Sequence, residues 1–209
     1  MAAAGTGRVN QKMRTRMAII EAARGLIRAG GEVTMPEVAR KALVSEATAY
    51  RYFPDLVSLL TEAFTGFWPS SADALQPVAH SRDPVERVAF TTEFLLRHVL
   101  AYQGAVRAMI SATITRPATV AAARPGLRFG LIDQALAPVA GAPAQPEALA
   151  QLKRDLAVVI SAEALFTLTD LCGLGPDDAI ASAVRTATTL TRAALGAPRP
   201  AKAQAGGAA

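Results

Sequence analysis

The stretch Ala42-Leu43-Val44-Ser45-Glu46-Ala47-Thr48-Ala49-Tyr50-Arg51-Tyr52-Phe53 decides the fold. Ser45 suits a helix N-cap, because its hydroxyl can accept from a first-turn N–H that has no helical partner. A short third helix over about 46–52 follows, and Pro54-Asp55 breaks the chain behind it. Upstream, Thr34-x-x-Glu37 reads as a capping box, with Pro36 in the first turn, where its missing N–H costs nothing. Val38, Ala39 and Ala42 form the inward face of this second helix. The two short helices meet at Leu43-Val44-Ser45, which is helix-turn-helix geometry with the second helix displaying polar residues.

Working outward, a first helix covers about 11–29, with Ile19, Ile20, Ala23, Leu26 and Ile27 as its apolar stripe and Gly30-Gly31 as its stop. Residues 1–10 read as a flexible arm. A fourth helix runs from about 56 to 67 and on toward residue 75. The domain expected here is 11–60. It carries the charge asymmetry of the chain. Residues 1–60 hold nine Lys/Arg against five Asp/Glu, and 61–209 hold thirteen against twelve, within a formal net charge of +5. A basic head on a near-neutral body points to a polyanion partner.

The rest of the 209-residue chain is helix after helix, so the fold class is all-α, with a larger helical domain over 61–196. Asp83-Pro84-x-Glu86 is a strong start signal for a helix reaching about Tyr102, and Gly104 separates it from one at about 105–115. A Pro/Ala/Arg connection over 116–125, a helix at about 127–137 and a Pro/Ala/Gly linker over 138–146 come next. The last two helices, about 146–172 and 177–195, carry apolar residues beyond one stripe: Leu149, Leu152, Leu156, Val159, Ile160, Leu165, Ile180, Val184, Leu190 and Leu195. One protomer is not expected to bury them all, so they are read as the seam of a homodimer. Residues 197–209 are Ala/Gly/Pro-rich and read as a disordered tail.

Ile19-Ile20-Glu21-Ala22-Ala23, Gly30, Val38-Ala39, Ala42-Leu43-Val44-Ser45, Thr48, Tyr50-Arg51-Tyr52-Phe53 and Leu59-Leu60 stand in one order at set spacings. Together they resemble the DNA-binding domain of the tetracycline-repressor (TetR/AcrR) family. The resemblance covers roughly residues 15–65 and implies an all-helical regulator that binds double-stranded operator DNA as a homodimer. It also implies a small-molecule effector held in the helical body, and no cofactor. This sequence departs from the family in having Leu43 where glycine is usual, and Leu56 where a lysine often starts the fourth helix. The loss of that lysine removes one phosphate anchor, which arginines elsewhere or the N–H groups at the helix start would have to replace.

Residue chemistry assigns roles within the head. Glu46, Ala47, Thr48, Tyr50 and Arg51 lie on or near the outer face of the third helix, behind Ser45. Arg51 can pair with guanine or with a phosphate, and Ala47 and Thr48 are short enough to meet thymine methyl groups. Glu46 either accepts from cytosine N4 or only caps the helix. The resemblance implies phosphate contacts for Thr34, Tyr50 and Tyr52. Arg8, Lys12, Arg14 and Arg16 can track the backbone or enter a minor groove.

In the body, Phe64, Phe67, Trp68, Phe94, His98, Tyr102, Met109, Phe129 and Phe166 fall on the middle helices. Each alone reads as core. As a set, with the cavity that the resemblance implies, they are the candidate ligand contacts. Glu163 and Asp170 share a helix with Phe166 and belong to the ligand site or the dimer seam. Cys172, the single cysteine, reads as a small buried hydrophobe at a helix end.

The same inventory argues against other classes. One cysteine and two histidines make a structural zinc site improbable, and no metal is expected. No phosphate loop or nucleophile–base signature is present, so no enzyme is expected. Glu21 and Arg24 interrupt any signal-peptide core, and Leu156–Leu171 is too short and too polar to span a bilayer, so a cytoplasmic protein is expected. The competing reading is a helical adaptor of the same fold that has lost operator binding.

Overall fold

Six of the described α-helices start where a side chain accepts a first-turn N–H. The computed structural model describes residues 3–114, 126–140 and 146–196, and among these every regular element is helical. The head contains α1 (Ala3–Arg28), α2 (Met35–Lys41), α3 (Glu46–Tyr52) and α4 (Leu56–Ala63). Thr34 caps α2 by accepting from the Glu37 N–H at 3.4 Å, and its hydroxyl donates to the Glu37 carboxylate at 3.3 Å. Ser45 caps α3 through the Thr48 N–H at 3.2 Å, and Asp55 caps α4 through the Ser58 N–H at 2.8 Å. The first helix starts at Ala3 rather than near residue 11, so residues 3–10, expected as a flexible arm, form its first turns. No proline stands in this stretch to stop the helix from propagating backward.

The turn between α2 and α3 closes as a Schellman motif. The Val44 N–H reaches the Ala39 carbonyl at 3.0 Å and the Leu43 N–H reaches Arg40 at 3.2 Å. That geometry needs a left-handed residue after the cap, and Leu43 supplies it at φ +56° while standing 92% exposed. A side chain with a Cβ resists this conformation by about 1–2 kcal/mol, so the usual glycine has been replaced at a cost.

The body contains α5 (Ser71–Ala74), α6 (Pro84–Ala101), α7 (Gln103–Ile114), α8 (Leu127–Ala135), α9 (Ala137–Ala140), α10 (Pro146–Val159), α11 (Ala162–Phe166) and α12 (Pro176–Gly196). A 3-10 turn at Gln76–Val78 precedes α6, and a π-turn at Thr167–Leu171 follows α11. α6 and α12 form the central pair. Arg97, near the end of α6, bonds Asp177 in the first turn of α12 at 3.1 Å, which sets the two antiparallel. Arg87 of α6 is buried without a described carboxylate partner. Its guanidinium donates to the carbonyls of Val78, Ser81, Gln134 and Ala135 at 2.7, 3.4, 2.7 and 3.1 Å. It thereby caps the C-terminal end of α8, where the Gln134 and Ala135 carbonyls have no further helical turn to bond.

Four expectations change. The fourth helix stops at Ala63 instead of running to 67, because Gly66 at φ +85° turns the chain back on itself. The helix expected over 146–172 breaks at Ser161, which is extended at φ −148°. Its hydroxyl leaves the helix path to accept from the Ala164 N–H at 3.0 Å. Gly104 lies inside the first turn of α7 rather than between helices, and Cys172 is exposed. Of the ten residues read as a dimer seam, Leu152, Leu156, Ile160, Leu165 and Ile180 are buried within the single chain. The break at Ser161 and the pairing with α6 give α10–α12 more partners than two straight helices would have.

Two apolar cores result. The head core gathers Ile19, Ile20, Ile27, Val38, Ala49, Phe53, Leu59 and Leu60, and it also takes in Ala63, Phe64, Ala105 and Met109, past the boundary expected at residue 60. The body core is built from α6, α8, α10 and α12, and Trp68 and Val106 pack against both cores. α7 therefore stitches head to body. Its tightest point is Gly104, where a Cβ would stand 1.8 Å from the Gly31 carbonyl oxygen.

Candidate nucleic-acid interface and the adjoining cavity

α3 is amphipathic by position. Ala49 is fully buried against the head core, while Glu46, Ala47, Tyr50 and Arg51 are exposed at two i, i+4 spacings, which puts them on one outward face. Ser45 and Thr48 stand at the start of this face with their hydroxyls joined at 2.9 Å. The Arg51 guanidinium lies over the Tyr52 ring at 5.6 Å, a position from which it can extend to a base edge or a phosphate. Thr34 is half-buried at the start of α2. Lys12 and Arg14 are exposed on α1, as are Arg40 and Lys41 at the end of α2. These cations share the head with Glu46, the one acid on the outward face of α3.

Two residues carry less DNA-binding potential than their chemistry alone implies. Arg16 pairs with Glu62 of α4 and lies over the Phe53 ring at 4.9 Å, so it braces the head internally. At the start of α4, the Asp55 carboxylate already accepts from the Ser58 N–H and Ser58 hydroxyl, at 2.8 and 2.7 Å. A phosphate approaching that helix start would meet a carboxylate, so the backbone there is a poor substitute for the missing lysine.

Beneath the head, Phe64, Phe67, Trp68 and Tyr102 form a cluster with centroids 5.4–6.4 Å apart, edge-to-face except for the tilted Phe64–Trp68 pair. It continues along α6 through His98, 5.4 Å from Trp68, then Phe94, 4.2 Å from His98, and Phe90. The His98 ring is tied to the Phe94 carbonyl through Nδ1 at 2.9 Å.

A cavity of about 120 Å³ opens beside this cluster. Phe64, Trp68 and Met109 line it, as do Leu95, Val99, Val106, Ile110, Leu127, Arg128, Ser161, Ala162 and Glu163. Phe67, Phe94, His98, Tyr102, Phe129 and Phe166 are not among its walls. Phe129 is 55% exposed, and Phe166 lies under Arg107, whose guanidinium carbon is 3.7 Å from the ring centroid. Arg107 is held there by both Asp170 oxygens, at 2.6 and 2.8 Å, and this pairing keeps the Asp170 carboxyl below its usual range. The aliphatic walls carry little signal in the sequence. Their only signal is the i, i+4 pair Leu95/Val99 on α6 and the pair Val106/Ile110 on α7, which any core helix shares.

Among the described residues, no helix is long and apolar enough to cross a membrane, and no three metal-ligating side chains cluster. No curated protein matches the chain. Residues 19–63 match the family model described as bacterial regulatory proteins, tetR family. The matched segment runs from the stripe of α1 to the last residue of α4, so it contains the capped turn, the outward face of α3 and the Arg16–Glu62 brace's α4 partner. That match and the capped helix-turn-helix support a DNA-binding transcriptional regulator whose head is similar to that of the tetR family.

Proposed function

We propose that this protein is a cytoplasmic homodimeric repressor, released from a palindromic operator by a small apolar or aromatic molecule held in the cavity between head and body. The observation that carries the reading is the position of that cavity. Phe64 and Trp68 reach it from the segment that leaves the head, and Val106, Met109 and Ile110 reach it from α7, which is wedged against the head at Gly104. A molecule seated there touches the two elements that fix the head on the body, so it can favour one head orientation over another. The fourth helix ends at Ala63, so it does not run on into the body as a rigid lever.

Operator contacts are assigned to Ser45, Glu46, Ala47, Thr48, Tyr50 and Arg51 at the major groove, and to Thr34, Tyr52, Lys12 and Arg14 at phosphates. Dimerisation is assigned to the outer faces of α10 and α12. Val158 of α10 is 72% exposed and Leu195 of α12 is 38% exposed, and Ala181 and Ala193 are also exposed on α12. Two heads would then enter successive major grooves, about 34–36 Å apart.

The test is to map binding sites on genomic fragments and then measure affinity for the recovered operator by fluorescence anisotropy, with and without bound ligand. Ligand must weaken operator binding by the factor with which operator weakens ligand binding, and a coupling of about 1–3 kcal/mol suffices for induction. No enrichment of any palindrome would leave the adaptor reading in its place.

A further inference from the structure

Two joints between head and body meet on one helix of the head. At the first, the Arg24 guanidinium of α1 donates to the carbonyls of Ala63 and Thr65, through Nε at 3.1 Å and Nη2 at 3.2 Å. Its third nitrogen, Nη1, donates to the Glu21 carboxylate at 2.7 Å. One turn further along α1, the Arg28 guanidinium lies over the Phe67 ring at 5.2 Å. The turn that leaves α4 is therefore gripped by α1 on both sides of Gly66, where the chain reverses at φ +85°. Trp68, the next residue after Phe67, is a wall of the cavity, as is Phe64. At the second joint, the loop that follows α1 meets α7, where a Cβ on Gly104 would stand 1.8 Å from the Gly31 carbonyl oxygen.

We propose that α1 carries the coupling between cavity and operator, and that Arg24 is the positioning residue that ties it to the cavity wall. The inference rests on the reading of the cavity as an effector site and of the head as an operator binder. α1 is one helix from Ala3 to Arg28, anchored in the head core by Ile19, Ile20 and Ile27. Lys12 and Arg14, the cations assigned to phosphates, stand on this helix about 18 and 15 Å from Arg24 at 1.5 Å per residue. A packed helix shifts as a unit, so a displacement taken up at Arg24 is passed on to Lys12 and Arg14. The guanidinium suits the task better than an apolar contact does. Its planar fork holds two carbonyls in fixed directions, so the turn cannot slide along α1 without breaking a charged hydrogen bond. α7 also packs against α4, and a signal passing there would survive the loss of Arg24. Linkage makes the path run both ways: operator held by the head must disturb the cavity wall by the same coupling.

Trp68 is the single tryptophan of the chain, so it reports that wall without any added ligand. Full-length wild type, Arg24→Met and Glu21→Gln are titrated with the recovered operator duplex. Anisotropy of labelled DNA reads binding, and Trp68 emission, excited to the red of DNA absorption, reads the wall. Arg24→Met keeps the aliphatic stem and loses every donor, while Glu21→Gln loses the ion pair and leaves both carbonyl bonds. Wild type and Glu21→Gln are expected to change Trp68 emission on saturation with operator. Arg24→Met is expected to bind operator within about ten-fold of wild type and to lose most of the Trp68 change. Circular dichroism checks the fold. If Arg24→Met does not fold, Arg24→Lys takes its place with the same loss expected, because one ammonium cannot hold both carbonyls. A Trp68 change as large in the Arg24 variant as in wild type overturns the role of Arg24. So does an equal loss in Glu21→Gln, or a folded Arg24 variant that no longer binds operator, since the residue then only builds the head. Operator binding by wild type with no Trp68 change overturns the coupling and leaves the operator reading standing. Failure of wild type to bind any recovered duplex overturns the operator reading and this inference with it.

Discussion

Gly104→Ala isolates the joint between head and body. An added methyl would lie 1.8 Å from the Gly31 carbonyl oxygen, 2.6 Å from the Gly31 carbonyl carbon and 3.2 Å from the Glu32 nitrogen. All three are backbone atoms of the α1–α2 loop, so no rotamer change can clear them. To restore even a 3.0 Å approach to the oxygen, the loop must retreat from α7 by at least about 1.2 Å. Overpacking of this kind costs about 1–3 kcal/mol, and the upper half applies where backbone must move. Alanine returns part of this through its better helix propensity, up to about 1 kcal/mol at an interior position and less in the first turn of α7. The net loss is about 1–2 kcal/mol, or a fall in Tm of roughly 2–8 °C for a chain of this length. The control lies on the other side of the same contact. Gly31→Ala places its methyl with nothing within 4 Å, so its effect should stay within about 0.5 kcal/mol. Thermal unfolding by circular dichroism reads both variants, and operator anisotropy reads the head. Gly104→Ala should shift operator affinity although it touches no DNA, while Gly31→Ala should not. Equal melting of Gly104→Ala and wild type, or an equal fall in both variants, would refute the wedge.

Arg51→Ala should weaken specific operator binding by about 1–3 kcal/mol and non-specific binding less, read by anisotropy on operator and random duplexes; equal losses would make Arg51 a phosphate anchor. Leu43→Gly should relieve about 1–2 kcal/mol of left-handed strain against about 0.5–1 kcal/mol of added chain entropy, so Tm should rise slightly, and a fall would mean that the exposed leucine makes a contact of its own. Arg87→Met should cost about 1–3 kcal/mol for each buried carbonyl left without a donor, and Arg87→Lys should not rescue it fully, because one ammonium cannot span four acceptors. The Arg107–Asp170 bridge, whose carboxyl is held low by the arginine, contributes above the ordinary carboxylate range and is lost as pH falls through the lowered value; Asp170→Asn should therefore destabilise at pH 7, and the difference should shrink as acid protonates the carboxyl, read by chemical denaturation. Light scattering at micromolar concentration should return a dimer, and a monomer would remove the α10/α12 seam.

The head was legible because its determinants are local. Thr34, Ser45 and Asp83 each cap a helix two or three residues downstream, so a reader of sequence sees both partners of the bond at once. The outward face of α3 follows from the same logic, since the burial of Ala49 fixes where Glu46, Ala47, Tyr50 and Arg51 must point. Leu43 was recognisable as an intruder at a glycine position, but its φ of +56° is a property of the Schellman bonds to Arg40 and Ala39 that surround it.

The body was less legible because its decisive contacts join residues far apart in the chain. The partners of Arg87 lie 47 and 48 residues downstream, at Gln134 and Ala135, and nothing near Arg87 announces that it will be buried. Ser161 looks like any serine in an apolar helix, yet it breaks that helix and turns Ala162 and Glu163 into the cavity. Aromatic residues read as ligand contacts because they are large. The structure spends most of them on packing one another along α6, and gives the cavity mainly to aliphatic walls. Hydrophobic spacing identifies the face a helix buries, but not whether another helix or an open space meets that face. In this fold the difference is made at one crossing, where Gly104 lets α7 close on the head while Val106, Met109 and Ile110, a turn or two on, are left facing the cavity.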